Sequence, residues 1–289
     1  MKIIKLEDCE YPEKLKIIKD PPKQLYVLGN EKLLQNNCVG IVGSRHCSYY
    51  GEKMAMQFAE ELSSNNITVV SGLAVGIDTY AHIGAMKEKG RTIAVLGSGF
   101  NNLFPKQNKK LFEDIVQNGG CVITEYEPDI HCTEFTFPQR NRIIAGLSKC
   151  ILVINAREKS GALITAEFAK SQNKKVFCIP SNLTNECSIG SNMLIKNGAM
   201  IALNSNDILE EFRQKDLSLL PKNKKTKEKI NIENKLQKSI YDFLSDEPVN
   251  IEEIKLKVKS DIKEINFALT ILEMEGHIKK LVGNKFVRR

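Results

Sequence analysis

The sequence predicts an α/β chain: a mainly parallel sheet covered by helices on both faces, followed by a small second domain. Three observations predict it. Short Val- and Ile-rich runs recur through the first two thirds, as CVGIVG, TVVSG, TIAVLG, CVITE, CILVIN, KVFCIP and AMIAL. Most are separated by segments of helical apolar spacing, the pattern of buried strands joined by crossover helices. Beyond a basic stretch ending near residue 235, the pattern changes to helices, a turn and a hairpin. With 289 residues, 42% of them hydrophobic, the chain can bury one large core and one small one.

The elements follow in order. Residues 1–36 form a lead-in, and residues 37–215 the sheet domain. The clearest helix is GEKMAMQFAEELSSN, Gly51 to Asn65, where Met54, Phe58, Ala59 and Leu62 share one face. Residues 216–231 overlap the stretch from Pro221 to Lys235, which is heavily basic and nearly free of large apolar side chains. They read as a linker, either a solvated spacer or a phosphate-binding segment. In residues 232–289, LQKSIYDFLSDEP is a helix ending before Pro248. A second helix stops at Val258-Lys259-Ser260-Asp261, a turn and cap signal. The third buries Ile265, Leu269 and Leu272 and stops at Gly276, and two short strands flank Gly283-Asn284. Three helices and a hairpin of this size make a winged helix, a motif that serves in DNA binding or as a protein-binding module.

Composition excludes several classes. Eight scattered cysteines without a C-x-x-C pair, and only four histidines, argue against a disulfide framework or a zinc site. No metal and no cofactor is expected. The acids in the first fifteen residues do not suit a signal peptide, and no apolar run is long enough to span a bilayer. A cytoplasmic chain with no membrane partner is the expectation. The net charge of +7 is compatible with a polyanionic partner.

Glycine loops at strand ends carry the functional signal. In VVSGLAVGID, Ser71, Gly72 and Gly76 sit between a buried strand and a helix. Backbone amides there can make an anion site without a charged side chain, or the stretch is a tight turn without ligand. VGSRHCSYYG places Gly43, Ser44 and Arg45 past the first strand of the domain. FPQRNRIIAGLS places Phe137, Arg140, Asn141 and Arg142 at a helix start. SGALITAEFA begins with Ser160-Gly161 and has Thr165 one turn in. All four should lie at one edge of a parallel sheet. The arginines suit phosphates through their planar fork, or pair with acids such as Glu125 or Glu134. Phe137 either stacks on a base or packs in the core. No G-x-x-x-x-G-K-[ST] or H-E-x-x-H occurs, and LGSGFNNLF has Asn102 where a dinucleotide fingerprint needs its third glycine. His82 reads as a packed helix residue, not a general base.

GIVGSR, SGLAVGIDTYAH, GRTIAVLGSG, FPQRNRIIAGLS, SGALITA and GSNMLIKNGA stand in the order found in the DNA-processing protein A family (DprA, also called Smf), which the chain resembles over nearly its whole length. The resemblance implies a Rossmann-like domain with a C-terminal winged helix. It implies a single-stranded DNA-binding protein that forms dimers, protects incoming DNA and helps load the RecA recombinase in natural transformation, with no catalytic residue. By matching positions, Arg45, Ser71, Gly72, Gly76, Arg140 and Asn141 would meet phosphates. Asn155 and Ser181 depart from the family's usual acid and glycine. Two alternatives belong to the same superfamily: a phosphoribohydrolase-like enzyme, for which Glu167 would be the carboxylate, and a nucleotide sensor.

Overall fold

The computed structural model describes residues 1–87, 91–213, 232 and 234–288. The expected linker, 216–231, lies outside the described residues. The chain divides into two compact units, Met1–Lys222 and Asn223–Arg289.

The first unit holds a nine-stranded sheet: β1 Lys2–Lys5, β2 Gln24–Gly29, β3 Cys38–Gly43, β4 Thr68–Ser71, β5 Thr92–Val95, β6 Cys121–Thr124, β7 Cys150–Ile154, β8 Lys175–Cys178 and β9 Met200–Ile201. Its order is β1-β2-β6-β5-β4-β3-β7-β8-β9. The seven strands from β6 to β9 are parallel, and each matches one of the seven apolar runs. The helices are α1 Glu13–Lys16, α2 Tyr49–Ser64, α3 Ile77–Met86, α4 Lys109–Gln117, α5 Thr136–Leu147, α6 Gly161–Ser171, α7 Ile189–Lys196 and α8 Ser205–Arg213. They bury two main apolar layers, one around Ile144 and Ala166, the other around Phe58 and Ile77. On α2 the buried stripe includes Phe58, Ala59 and Leu62, and Ser48 caps the helix by accepting from the Gly51 amide.

The lead-in is not separate, so the expected boundary at residue 37 is corrected. β2 pairs antiparallel with β6, with Tyr26 opposite Thr124, and β1 continues the sheet outward. Tyr11, Leu15 and Leu25 are fully buried in the sheet's own core. Thirty-odd residues enclose too little apolar surface to fold alone. The two margins of the sheet are unlike. β1 carries Lys2, ion-paired to Glu10 and Glu31, and an exposed Lys5. β9 presents only Met200 and Ile201, both exposed.

His82 lies buried on α3. Its Nδ1 is 2.7 Å from Thr92 Oγ1, whose proton goes to the Val69 carbonyl at 3.0 Å. The hydroxyl must therefore accept from Nδ1–H, which leaves Nε2 unprotonated and without a partner. Burial, helped by the positive Arg140, pushes the imidazole down to about 3. An unfolded histidine takes up its proton near pH 6.5. Stability should thus be complete above that pH and fall as pH drops from about 6 toward 3, by roughly 1.4 kcal/mol per unit from this group. Urea titrations across pH should show a shallower slope in His82→Gln; an unchanged slope would remove His82 as its source.

The second unit has α9 Lys235–Phe243, β10 Val249–Asn250, α10 Ile251–Val258, α11 Ile262–Met274, β11 Ile278–Leu281 and β12 Lys285–Arg288. Its sheet runs β10-β12-β11. Lys259 ends α10 at φ 51°, and Asp261 caps α11 through the Lys263 amide. Gly283 and Asn284, both at positive φ, turn the hairpin. This is the winged helix the sequence predicts, around Ile254, Ile265, Leu269 and Phe286.

Candidate functional site

Strand β3 has β4 on one side and β7 on the other. The loops leaving β3 and β7 diverge there, which opens a crevice at the carboxyl ends of the strands. A cleft of about 700 Å³ occupies it. Gly43, Ser44, Arg45, Phe137, Arg140, Asn141, Ser160, Gly161 and Thr165 line it, brought together as the sequence predicts. Ser71, Gly72, Gly76 and Arg142 do not line it.

The glycine stretch is corrected first. The amides of Gly72 and Ala74 donate to Asp78 Oδ2 at 3.1 and 3.4 Å. The anion held by this loop is the chain's own carboxylate, in the first turn of α3. Burial pushes the Asp78 carboxyl up, and Arg140 and these donors oppose that shift. A Cβ on Gly72 would stand 2.6 Å from the Arg140 guanidinium. Gly76, at φ +83°, lies so close to the next loop that a Cβ would meet the Ser44 carbonyl oxygen. Ser71 is fully buried and donates to the Ile41 carbonyl at 2.7 Å. These residues shape the frame beneath the cleft.

Two arginines of the same motif have partners within the protein. Arg140 is only 5% exposed. Its Nη1 donates to the carbonyls of Gly72, at 2.6 Å, and of Val95. Its Nε donates to Asn141 Oδ1 at 3.1 Å. It ties the ends of β4 and β5 together and shows the cleft only an edge. Burial lowers its guanidinium to about 10, and the nearby Asp78 opposes that. Arg142 takes the salt-bridge alternative. It forks onto Glu125 with two contacts of 2.7 Å and reaches Asp20 Oδ2 at 3.0 Å, binding the lead-in to the end of β6.

The cations that remain free to meet a ligand are on loops. Arg45 is exposed and lies over the Phe137 ring, 5.4 Å from its centroid. Phe137 packs at 5.7 Å against Phe104, which is 48% exposed at the cleft. Ser44 fixes the turn under Arg45: its Oγ accepts from the His46 amide and donates to the His46 carbonyl. Arg157 and Lys159, also exposed, line the opposite wall. Sequence reasoning missed both, although NAREKSG places them directly between a strand and the Ser-Gly helix start. Ser160 caps α6 by accepting from the Ala162 amide at 3.3 Å, and Gly161 leaves open space there. The positive end of α6 thus faces the cleft. Glu134 also lines the cleft and is its exposed acid. Cations on two walls, a helix N-terminus and an aromatic pair suit a flexible polyanion with exposed rings. Among the described residues no cluster of metal ligands occurs.

The chain matches known families and solved structures. The family model of DNA recombination-mediator protein A matches residues 2–213, and that of the DprA winged helix domain matches residues 224–284. The DNA processing protein DprA of Streptococcus pneumoniae is 43% identical over 207 residues, covering 72% of each chain. Its X-ray structure superposes with a TM-score of 0.69 at 41% identity, over 73% of this chain and 74% of that one. DNA processing protein A of Helicobacter pylori, whose structure concerns a single-stranded DNA binding mode, superposes with a TM-score of 0.66 at 31% identity, over 74% of this chain and 97% of that one.

Proposed function

Because the chain belongs to the DNA recombination-mediator protein A family, we propose that it binds single-stranded DNA in the cleft between β3 and β7. Its role is to protect incoming strands and help load the RecA recombinase during natural transformation, without catalytic turnover. The observation that carries this reading is the single cleft holding Arg45, Arg157 and Lys159 beside the Phe104–Phe137 pair. A cleft of this kind admits a pliable backbone and unstacked bases, whereas a rigid duplex keeps its bases out of reach. A dT oligomer should therefore compete far better than a duplex of equal length. Equal competition would count against the reading.

Two features weigh against the superfamily alternatives. Glu167, the carboxylate a phosphoribohydrolase would need, is exposed on α6 and does not line the cleft. The Gly72–Gly76 loop that a mononucleotide sensor would use is occupied by Asp78. Release of free base from nucleoside monophosphates, or retention of a mononucleotide without DNA affinity, would reinstate one of them.

The dimer belongs to the sheet domain in this reading. Ile189 and Met193 on α7, Met200 and Ile201 on β9, and Leu203 form a run of exposed apolar side chains at one margin of the sheet. A second copy would cover them, aligning two clefts and raising the effective concentration of the second site for a long strand. Light scattering should give a dimer for the intact protein and a monomer for the Met193→Asp, Ile201→Asp double variant. A dimer in both would move the interface elsewhere.

A further inference from the structure

The loop after β3 and the turn before α7 meet on one side chain. Asn155 Oδ1 accepts from the Ser48 hydroxyl at 2.8 Å and from its amide at 3.2 Å. The same amide group donates through Nδ2 to Ser188 Oγ at 2.7 Å. Each of these serines follows a cysteine. Cys47 and Cys187 thus flank the two ends of one Asn155 bridge, although they are far apart in sequence. Both are free and half-buried. Burial pushes the Cys47 thiol up to about 11, and Cys187 is close enough to add to that shift. Arg157 Nη2 lies 3.8 Å from Cys187 Sγ.

We propose that Cys47 and Cys187 form a reversible disulfide at the rim of the cleft, with hydrogen peroxide as oxidant. Cys187 reacts first, because the Arg157 guanidinium lies against its sulfur, while burial keeps Cys47 a thiol. The Cys187 sulfur attacks peroxide, the O–O bond breaks, and one water leaves as the sulfenic acid forms. Cys47 sulfur then attacks that sulfur. The S–O bond breaks, the S–S bond forms and a second water leaves. Two thiols and one peroxide thus give one disulfide and two waters, and a dithiol reductant reverses the change by exchange. Asn155 holds the Ser48 backbone and the Ser188 hydroxyl, so closure requires side-chain rotation and small loop shifts. The bridge ties the segment that carries Arg45, two residues before Cys47, to the turn whose Cys187 meets the Arg157 side chain. The other cysteines are placed differently: Cys38, Cys121, Cys150 and Cys178 are buried in strands, Cys9 is exposed near β1, and Cys132 is on the cleft wall beside α5.

The test is intact-mass analysis and peptide mapping of the full chain after equimolar peroxide. The expected result is loss of two hydrogens, a cross-linked peptide pair carrying residues 47 and 187, and full return with dithiothreitol. Cys47→Ser should stop at the sulfenic acid, trapped on Cys187 by dimedone. Cys187→Ser should yield no cross-link at residue 47. Circular dichroism of both variants checks that they fold. The proposal is overturned if no hydrogens are lost, if the cross-link maps to Cys9 or Cys132, or if either folded variant still loses two hydrogens.

Discussion

Arg140→Ala should lower the thermal midpoint of the protein by roughly 6–20 °C. Removing one member of a buried charged network costs about 3–5 kcal/mol, and each kcal/mol moves the midpoint of a domain this size by about 2–4 °C. The cost has identifiable parts. The Gly72 and Val95 carbonyls lose their donor. Asp78, already held up by burial, loses the positive charge that stabilises its ionised form. A void is left against Gly72, whose missing side chain made room for the guanidinium. Arg140→Lys should recover only part, since one ammonium cannot reproduce the planar fork. At low temperature, where the variant stays folded, dT binding should be close to that of the parent. A variant that melts normally and binds poorly would return Arg140 to the phosphates.

The opposite pattern is expected at the cleft mouth. Arg45→Ala and Arg157→Ala should each weaken dT binding about tenfold at low salt, the effect of losing one charged hydrogen bond of about 1.5 kcal/mol. Each lost phosphate contact should flatten the slope of log affinity against log salt by about 0.7. Homopolymers of dT, dC and dA should suffer alike, because a phosphate carries no base identity. The melting midpoint should stay put, since both side chains are exposed. Lysine at either position should restore charge without bidentate geometry. Salt titrations of the double variant decide the matter: parental affinity and slope would place the strand outside this cleft.

Much of this architecture is legible in the sequence because period and hydrophobicity report burial. All seven parallel strands announce themselves as Val- and Ile-rich runs, and the cap at Asp261 and the turn at Gly283-Asn284 mark the winged helix. The glycine stretch misleads for a physical reason. Gly72 and Gly76 signal close approach but do not say what approaches. Here it is a guanidinium from α5 and the carbonyl of Ser44, partners 68 and 32 residues away in sequence. Arginine is ambiguous in the same way. Arg140 and Arg142 stand in one motif with Arg45-like chemistry, yet helix α5 turns them inward to carbonyls and to Glu125, and only tertiary structure sets that direction. Arg157 and Lys159 flank Glu158, so in sequence they read as the mixed charges of a solvated loop rather than as a ligand site. The lead-in is hidden because β1 and β2 complete a sheet whose other strands come later in the chain.

The unlike margins of the sheet set a valence. A strand edge guarded by lysines resists a further strand, so the β1 side offers a newcomer nothing to join. The β9 side is bare and apolar. A particle with one adhesive margin is used up when it meets its twin across a two-fold axis, and growth into filaments has no second contact to run on. Self-association through β9 should therefore saturate: sedimentation at rising concentration should plateau at two copies, and a continued increase in size would mean that the lysine margin is not inert.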